Sequence, residues 1–191
     1  SPLPAFWLKP QLAPPRPSSA FAPPRQHSDQ PAMSAGIVEK RLAEIGLKIP
    51  KPSAAAANYV PWRRVGNQVF ISGQIPKLED NSLLKGKLGH DYSLDEGKAA
   101  ARLCAVHLIS QMREACGGDL DRVKAVVKVE AFVNSTPDFV DHPQVVNGCS
   151  DLLVEVFGME VGPHSRFAVG CSSLPFGVAV EVGASIEIMD E

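Results

Sequence analysis

Arg166 and Glu181 are the two residues whose types and spacing could do chemistry together. They stand either side of Leu174-Pro175-Phe176-Gly177, a stretch with turn chemistry, because proline fixes φ and glycine tolerates φ > 0. The flanks alternate as strands do, which predicts an antiparallel hairpin over 164–188. Closing it on a four-residue loop sets Ser173 opposite Val178, Gly170 opposite Glu181 and Phe167 opposite Ala184. Sorting by period 2 gives Phe167, Val169, Cys171, Val180, Val182, Ala184, Ile186 and Ile188 one face, a core face. Arg166, Ala168, Gly170, Glu181, Gly183 and Ser185 share the other. One cation and one anion among tiny residues is odd for a solvated sheet face. Four residues of register separate the charges, roughly 13 Å at about 3.3 Å per residue. Both side chains are long enough to lean in around a small ligand, or each could face a different subunit. A surface ion pair is the plain alternative. The lack of bulk around them tilts the balance toward a hollow, and hollows with convergent polar groups hold ligands.

The elements that must position these residues follow along the chain. Ile37, Leu42 and Ile45 mark the apolar side of a first helix that ends near Gly46 and Pro50. Residues 51–57 read as a linker. Two short strands, 59–65 and 68–73, flank Gly66-Asn67 as a hairpin. Ser72-Gly73-Gln74-Ile75-Pro76 then leaves the sheet into a long polar loop, 77–91, and loops of that length are more often functional than accidental. Ser93-Leu94-Asp95-Glu96 is a capping box that opens a long amphipathic helix stopped by Gly117-Gly118. On its apolar stripe, Cys104 and His107 read as core residues before they read as reactive ones. Residues 123–134 alternate as a long central strand, with Val123, Ala125, Val127, Val129, Ala131 and Val133 on one face. Pro143 starts a second long helix that carries Asn147 and ends at Gly158. Two main helices with five or six strands predict an α+β layer, a mixed sheet with both helices on one face. The face turned away would hold Ala168, Gly170, Gly183, Val126 and Phe132, too small and apolar for bulk water. A second copy is the natural cover, so the chain is expected to be a homo-oligomer.

The 191 residues, 45% of them hydrophobic, fit one folded domain over 33–191. The first 32 residues hold nine of the 17 prolines and one acid, and are expected to be extended or disordered. They read as a basic, acid-poor presequence or as upstream sequence without function, with Met33-Ser34-Ala35 looking like a start context. The expected compartment is cytoplasmic, or mitochondrial if the stretch is a presequence. No apolar run approaches the ~18 residues of a membrane helix. A net charge of −2 and the want of a basic stripe argue against nucleic acid as a partner. Cysteines at 104, 116, 149 and 171 show neither C-x-x-C nor histidines at ligand spacing, which points to free thiols and no metal.

Taken together, Ser72-Gly73-Gln74-Ile75-Pro76, residues 134–139, Asn147, Arg166, Leu174-Pro175 and Glu181 resemble the RidA/YjgF family of reactive-intermediate deaminases, also known as L-PSP endoribonucleases. The likeness covers about residues 35–191. It implies a chorismate-mutase-like fold and a homotrimer with a central barrel and three interface pockets. It also implies cofactor-independent hydrolysis of enamine and imine acids, such as 2-aminoacrylate, to 2-keto acids and ammonia. By that resemblance Arg166 binds the substrate carboxylate and Glu181 orients or activates water. Tyr59, Ser72, Gly73, Asn147 and Ala168 line the pocket. The match departs at three places: Ala57-Asn58 replaces Gly-Pro before Tyr59, Phe167 replaces a small polar residue, and Ala168 replaces a cysteine. The chemistry suits the two charges. Arginine grips a carboxylate bidentately where lysine cannot. A glutamate can take a proton from water or hand one to the leaving nitrogen. A carboxylate-binding or chaperone-like trimer without turnover is the alternative from the binding class. Endoribonuclease activity has weak support, since only Trp62-Arg63-Arg64 offers a basic patch.

Overall fold

The computed structural model describes residues 36–55 and 57–190. The Pro-rich stretch 1–32 and its expected disorder lie outside the described residues. A short helix α1 (Ile37–Glu44) is followed by strands β1 (Trp62–Val65) and β2 (Gln68–Gln74). Helix α2 (Leu94–Ala115), strand β3 (Val123–Asn134), helix α3 (His142–Val161) and strands β4 (Ser165–Cys171) and β5 (Val180–Ile188) complete the order. The five strands form one mixed sheet in the order β1-β2-β5-β3-β4. Helices α2 and α3 pack on one face of it, as expected.

Local chemistry accounts for most boundaries. Gly66 holds φ 59° at the first central position of the two-residue turn between β1 and β2, where a left-handed residue matches the twist of a hairpin. At the start of α2 the Ser93 N–H donates to Glu96 Oε2 at 2.8 Å, and the Glu96 N–H donates to Ser93 Oγ at 3.3 Å. This reciprocal pair satisfies amides that a helix start leaves without partners. Beyond α2, Gly117 and Gly118 hold φ of 69° and 99° and turn the chain out of the helix. Of the apolar side expected for α1, Leu42 is buried and Ile45 packs against the core, but Val38 is buried in place of Ile37, which is exposed.

Strand β3 spans the expected residues, yet its faces do not alternate throughout. Register shifts against β5 fall between Val123 and Ala125 and between Val126 and Lys128. A bulge moves later side chains to the opposite face. Val126 is therefore buried and Val127 exposed, the reverse of the strict period-2 assignment.

The 164–188 hairpin does not form. Strand β4 runs parallel to β3 as the sheet edge, reached through α3, while β5 lies antiparallel between β2 and β3. Parallel neighbours need such a crossover. Two features decide against the hairpin. Strand β5 already has a backbone partner on each side, β2 and β3, so neither edge is left for β4. The backbone after Gly177 is meanwhile occupied by the long loop: Gly86 N–H donates to Gly177 O at 2.9 Å and Ala179 N–H to Leu84 O at 3.0 Å. The 77–91 loop is thus part of the fold. Its Leu88 is fully buried, and Lys87 Nζ donates to Asn134 Oδ1 at 2.7 Å and to the Ser172 carbonyl.

The changed topology changes the faces. Register pairs Arg166 with Val129 and Ala168 with Ala131, both core-facing, so these two residues lie on the helix side of the sheet. Ala168 packs against the core and Gly170 faces His142. The face turned away from the helices instead carries Phe70, Phe132, Phe167 and Val169, between 43% and 60% exposed. Phe167 and Val169, expected in the core, are on the outside.

Candidate functional site

The Glu181 carboxylate sits at a break in the sheet. Strand β2 pairs regularly with β5 up to Ile71↔Ala184 and next at Gln74↔Val182, so Ser72 and Gly73 form a bulge. Ser72 is pinned there by Oγ–H donation to Val60 O at 2.8 Å and by its own N–H to Pro61 O at 2.9 Å. A Cβ at Gly73 would overlap Glu181 Oε1, so the carboxylate lies directly on the glycine backbone. These residues, with Tyr59, Gln74, His107 and Phe176, line a cavity of about 220 Å³. Burial pushes the Glu181 carboxyl above its ordinary value. Phe176 holds φ 59°, a left-handed conformation costly for an aromatic residue, and Gly177 beside it holds 71°. The turn that presents Phe176 to the cavity mouth is therefore strained. His107 is buried and its Nε2–H donates to Lys77 O at 2.7 Å. It is the satisfied histidine expected of that stripe, and it also walls the cavity.

Arg166 lies elsewhere. From the edge strand β4 its Nη1 donates to Ser150 Oγ at 2.9 Å and its Nη2 to Pro143 O at 3.0 Å. Both acceptors belong to the α3 face that also carries half-buried Asn147, since positions 143, 147 and 150 follow helical spacing. Ser150 Oγ is in turn 3.0 Å from His164 Nε2, and His164 Nδ1 is 2.7 Å from Gly162 O. No carboxylate pairs with Arg166 among the described residues. Cys149 lies in the same region, its thiol pushed up to about 12 by burial.

The structure therefore brings the expected site residues together in two sets. Tyr59, Ser72, Gly73 and Glu181 share one cavity; Arg166, Asn147 and Ala168 share the β4–α3 edge. Phe132 of β3 pairs with Glu181 on one side, and Val129 of β3 pairs with Arg166 on the other. Three residues along and two strand spacings across put the two backbones about 14 Å apart, with side chains on opposite faces. The expected single face shared by both charges is corrected accordingly. A surface ion pair between them is excluded on the same geometry. Sequence reasoning also passed over Ser150 and His164. Their signals were Ser150 at helical spacing from Pro143 and a histidine two residues before the arginine.

All four cysteines are free thiols, as expected. Among the described residues no group of His, Cys, Asp and Glu could hold a metal ion. No helix there is long and apolar enough to cross a membrane.

Comparison with known proteins agrees with this fold. Residues 39–183 match the family model described as “YjgF/chorismate_mutase-like, putative endoribonuclease”. Protein TCP17 of Trypanosoma cruzi is 49% identical over 156 residues, which cover 82% of this chain and 97% of that protein. The crystal structure of protein Atu1372 from Agrobacterium tumefaciens, of unknown function, superposes with a TM-score of 0.73 at 40% identity. That match covers 80% of this chain and 94% of the other. A “putative endoribonuclease” from Shewanella oneidensis gives 0.76 at 38% identity, covering 80% of this chain and all of the other. With the mixed five-stranded sheet, the helices on one face and this match along most of its length, the chain belongs to the RidA/YjgF family.

Proposed function

We propose that the protein hydrolyses enamine and imine acids of the 2-aminoacrylate type to 2-keto acids and ammonia. The pockets are completed between copies in a homotrimer. The observation that carries this reading is Arg166: a guanidinium held by two neutral acceptors at a sheet edge, with no acid beside it among the described residues. Such a group is matched to an incoming carboxylate. Its catalytic counterpart is the half-buried Glu181. Within one protomer the two point away from each other, so a neighbouring copy is needed to bring them to one ligand. The exposed aromatic face that includes Phe70, Phe132 and Phe167 is the surface such a neighbour would cover.

In the proposed reaction, Arg166 of one copy binds the substrate carboxylate and aligns the C=N carbon. Glu181 of another copy accepts a proton from water as the oxygen attacks that carbon. Glu181 hands that proton to the imine nitrogen to complete the carbinolamine. It then takes the carbinolamine hydroxyl proton and delivers it to the amino nitrogen as the C–N bond breaks, so that both water hydrogens end on nitrogen and keto acid and ammonia depart. Overall, one imino acid and one water give one keto acid and one ammonia. A carboxyl raised toward neutrality suits both halves of this exchange, because it can hold the proton between the two steps. The bulge at Ser72-Gly73 opens the sheet beside the carboxylate and leaves room for the reacting carbon.

The test supplies 2-aminoacrylate from a PLP-dependent lyase and measures ammonia and pyruvate. The full chain accelerates their release, and Arg166→Ala and Glu181→Gln each abolish the acceleration. Carboxylate binding without turnover in the native chain would replace this reading with the binding one.

A further inference from the structure

Arg166 does not stand alone on its edge. Every bond around it has a direction, and these directions form a chain. The Gly162 carbonyl can only accept, so His164 Nδ1, 2.7 Å away, carries the proton. In the neutral imidazole Nε2 is then a bare acceptor, and Ser150 Oγ at 3.0 Å donates its only hydrogen there. With its hydrogen committed, the hydroxyl oxygen turns lone pairs toward Arg166, whose Nη1 donates to it at 2.9 Å. The Pro143 carbonyl takes Nη2 at 3.0 Å. Both anchors are neutral. They orient the guanidinium without cancelling its charge, as a carboxylate partner would. Among the described residues nothing takes Nε–H or the remaining hydrogens of the two terminal nitrogens.

We propose that Ser150 and His164 are positioning residues for Arg166: the imidazole sets the direction of the hydroxyl, and the hydroxyl with the Pro143 carbonyl aims the guanidinium at the substrate carboxylate. This rests on the reading of Arg166 as the carboxylate-binding group. Arginine has many rotamers at an exposed strand edge, and freezing them on binding costs affinity. Here that ordering is done before substrate arrives. Helix α3 supplies both acceptors and Asn147 from one face, and the His164-Ser165-Arg166 segment places the orienter just before β4 and the donor on it. Burial and the nearby Arg166 charge both lower the affinity of His164 for a second proton, which keeps the accepting form of Nε2.

The experiment uses the full chain, with pyruvate as the binding probe and 2-aminoacrylate as the substrate. Ser150→Ala raises KM, and the pyruvate dissociation constant, about tenfold, the effect expected for a lost hydrogen bond to a charged group. The kcat stays within about twofold, because the interaction is made before the transition state. Ser150→Thr, which keeps the hydroxyl, restores both values. Nitrogen NMR of the native protein finds His164 as the Nδ1–H tautomer and the Arg166 Nη1 hydrogens slowed in exchange, and Ser150→Ala removes the slowing. An Nε2–H tautomer in the native protein, or Ser150→Ala with unchanged KM and unchanged Arg166 exchange, overturns the relay. Should Arg166→Ala itself leave pyruvate binding intact, the carboxylate role of Arg166 fails instead. The two failures are therefore distinguishable.

Discussion

Mixing two inactive variants should regenerate activity, in an amount set by the sheet geometry. Arg166 and Glu181 are on opposite faces of one sheet, their backbones about 14 Å apart with β3 between them. A pocket that uses both must draw them from different chains. In a closed ring of three copies each pocket takes Arg166 from one chain and Glu181 from the next. Arg166→Ala and Glu181→Gln chains, each inactive alone, are co-refolded in equal amounts. An intact pocket needs a Glu181→Gln chain on the arginine side and an Arg166→Ala chain on the glutamate side. Each condition is met half the time, so about one quarter of the pockets are restored. A second mixture sharpens the result. Native chain mixed equally with the double variant also keeps about one quarter of its pockets if the site is shared, but about one half if it lies within a protomer. The assay is pyruvate and ammonia release from 2-aminoacrylate, normalised to total chains. No recovery in the first mixture with one half in the second would refute the shared site.

Two further substitutions test the Glu181 cavity. Gly73→Ala places a methyl where the Glu181 carboxylate now lies, so the carboxylate must move by about an ångström, and kcat is expected to fall about a hundredfold. A kcat within a few-fold of native would show that the close approach is dispensable. Glu181→Gln tests the burial itself through stability. The carboxyl is raised above its ordinary 4.5 in the folded chain, so its stabilising protonated state is complete below that value and is lost as pH rises through the folded pKa. Thermal unfolding should thus show Glu181→Gln above native at pH 7, with the gap closing below about pH 4.5. A gap that is the same at both pH values would mean the carboxylate is not penalised by burial.

How much of this was legible in the residues differs by element. The β1–β2 hairpin, the Ser93-Glu96 cap of α2 and the long β3 strand are local, set by turn chemistry, capping and alternation within a few residues, and the structure has them. The β4–β5 hairpin failed because it was a local solution to a non-local problem. Leu174-Pro175-Phe176-Gly177 does turn the chain, but the backbone beyond it bonds to the 84–86 segment, some ninety residues earlier. Insertion of β5 beside β2 leaves no signal inside 164–188. The bulges in β3 were invisible for a related reason: Val126 and Val127 are chemically the same, so nothing in their order says which is buried. The site residues identified by family likeness fall into two sets, and the face that was to unite them does not exist in one chain. Arg166 gained partners that spacing alone did not name, because Ser150 and His164 come from a helix and a strand start brought together only by the β3–α3–β4 crossover.

The most direct measurement is a crystal structure of the full chain with pyruvate bound. The carboxylate should lie within hydrogen-bond reach of Arg166 from one copy, and the keto carbon should face Glu181 and the Gly73 bulge of another. An Arg166 side chain free in solvent on a monomer, or pyruvate seated away from both groups, would contradict the account.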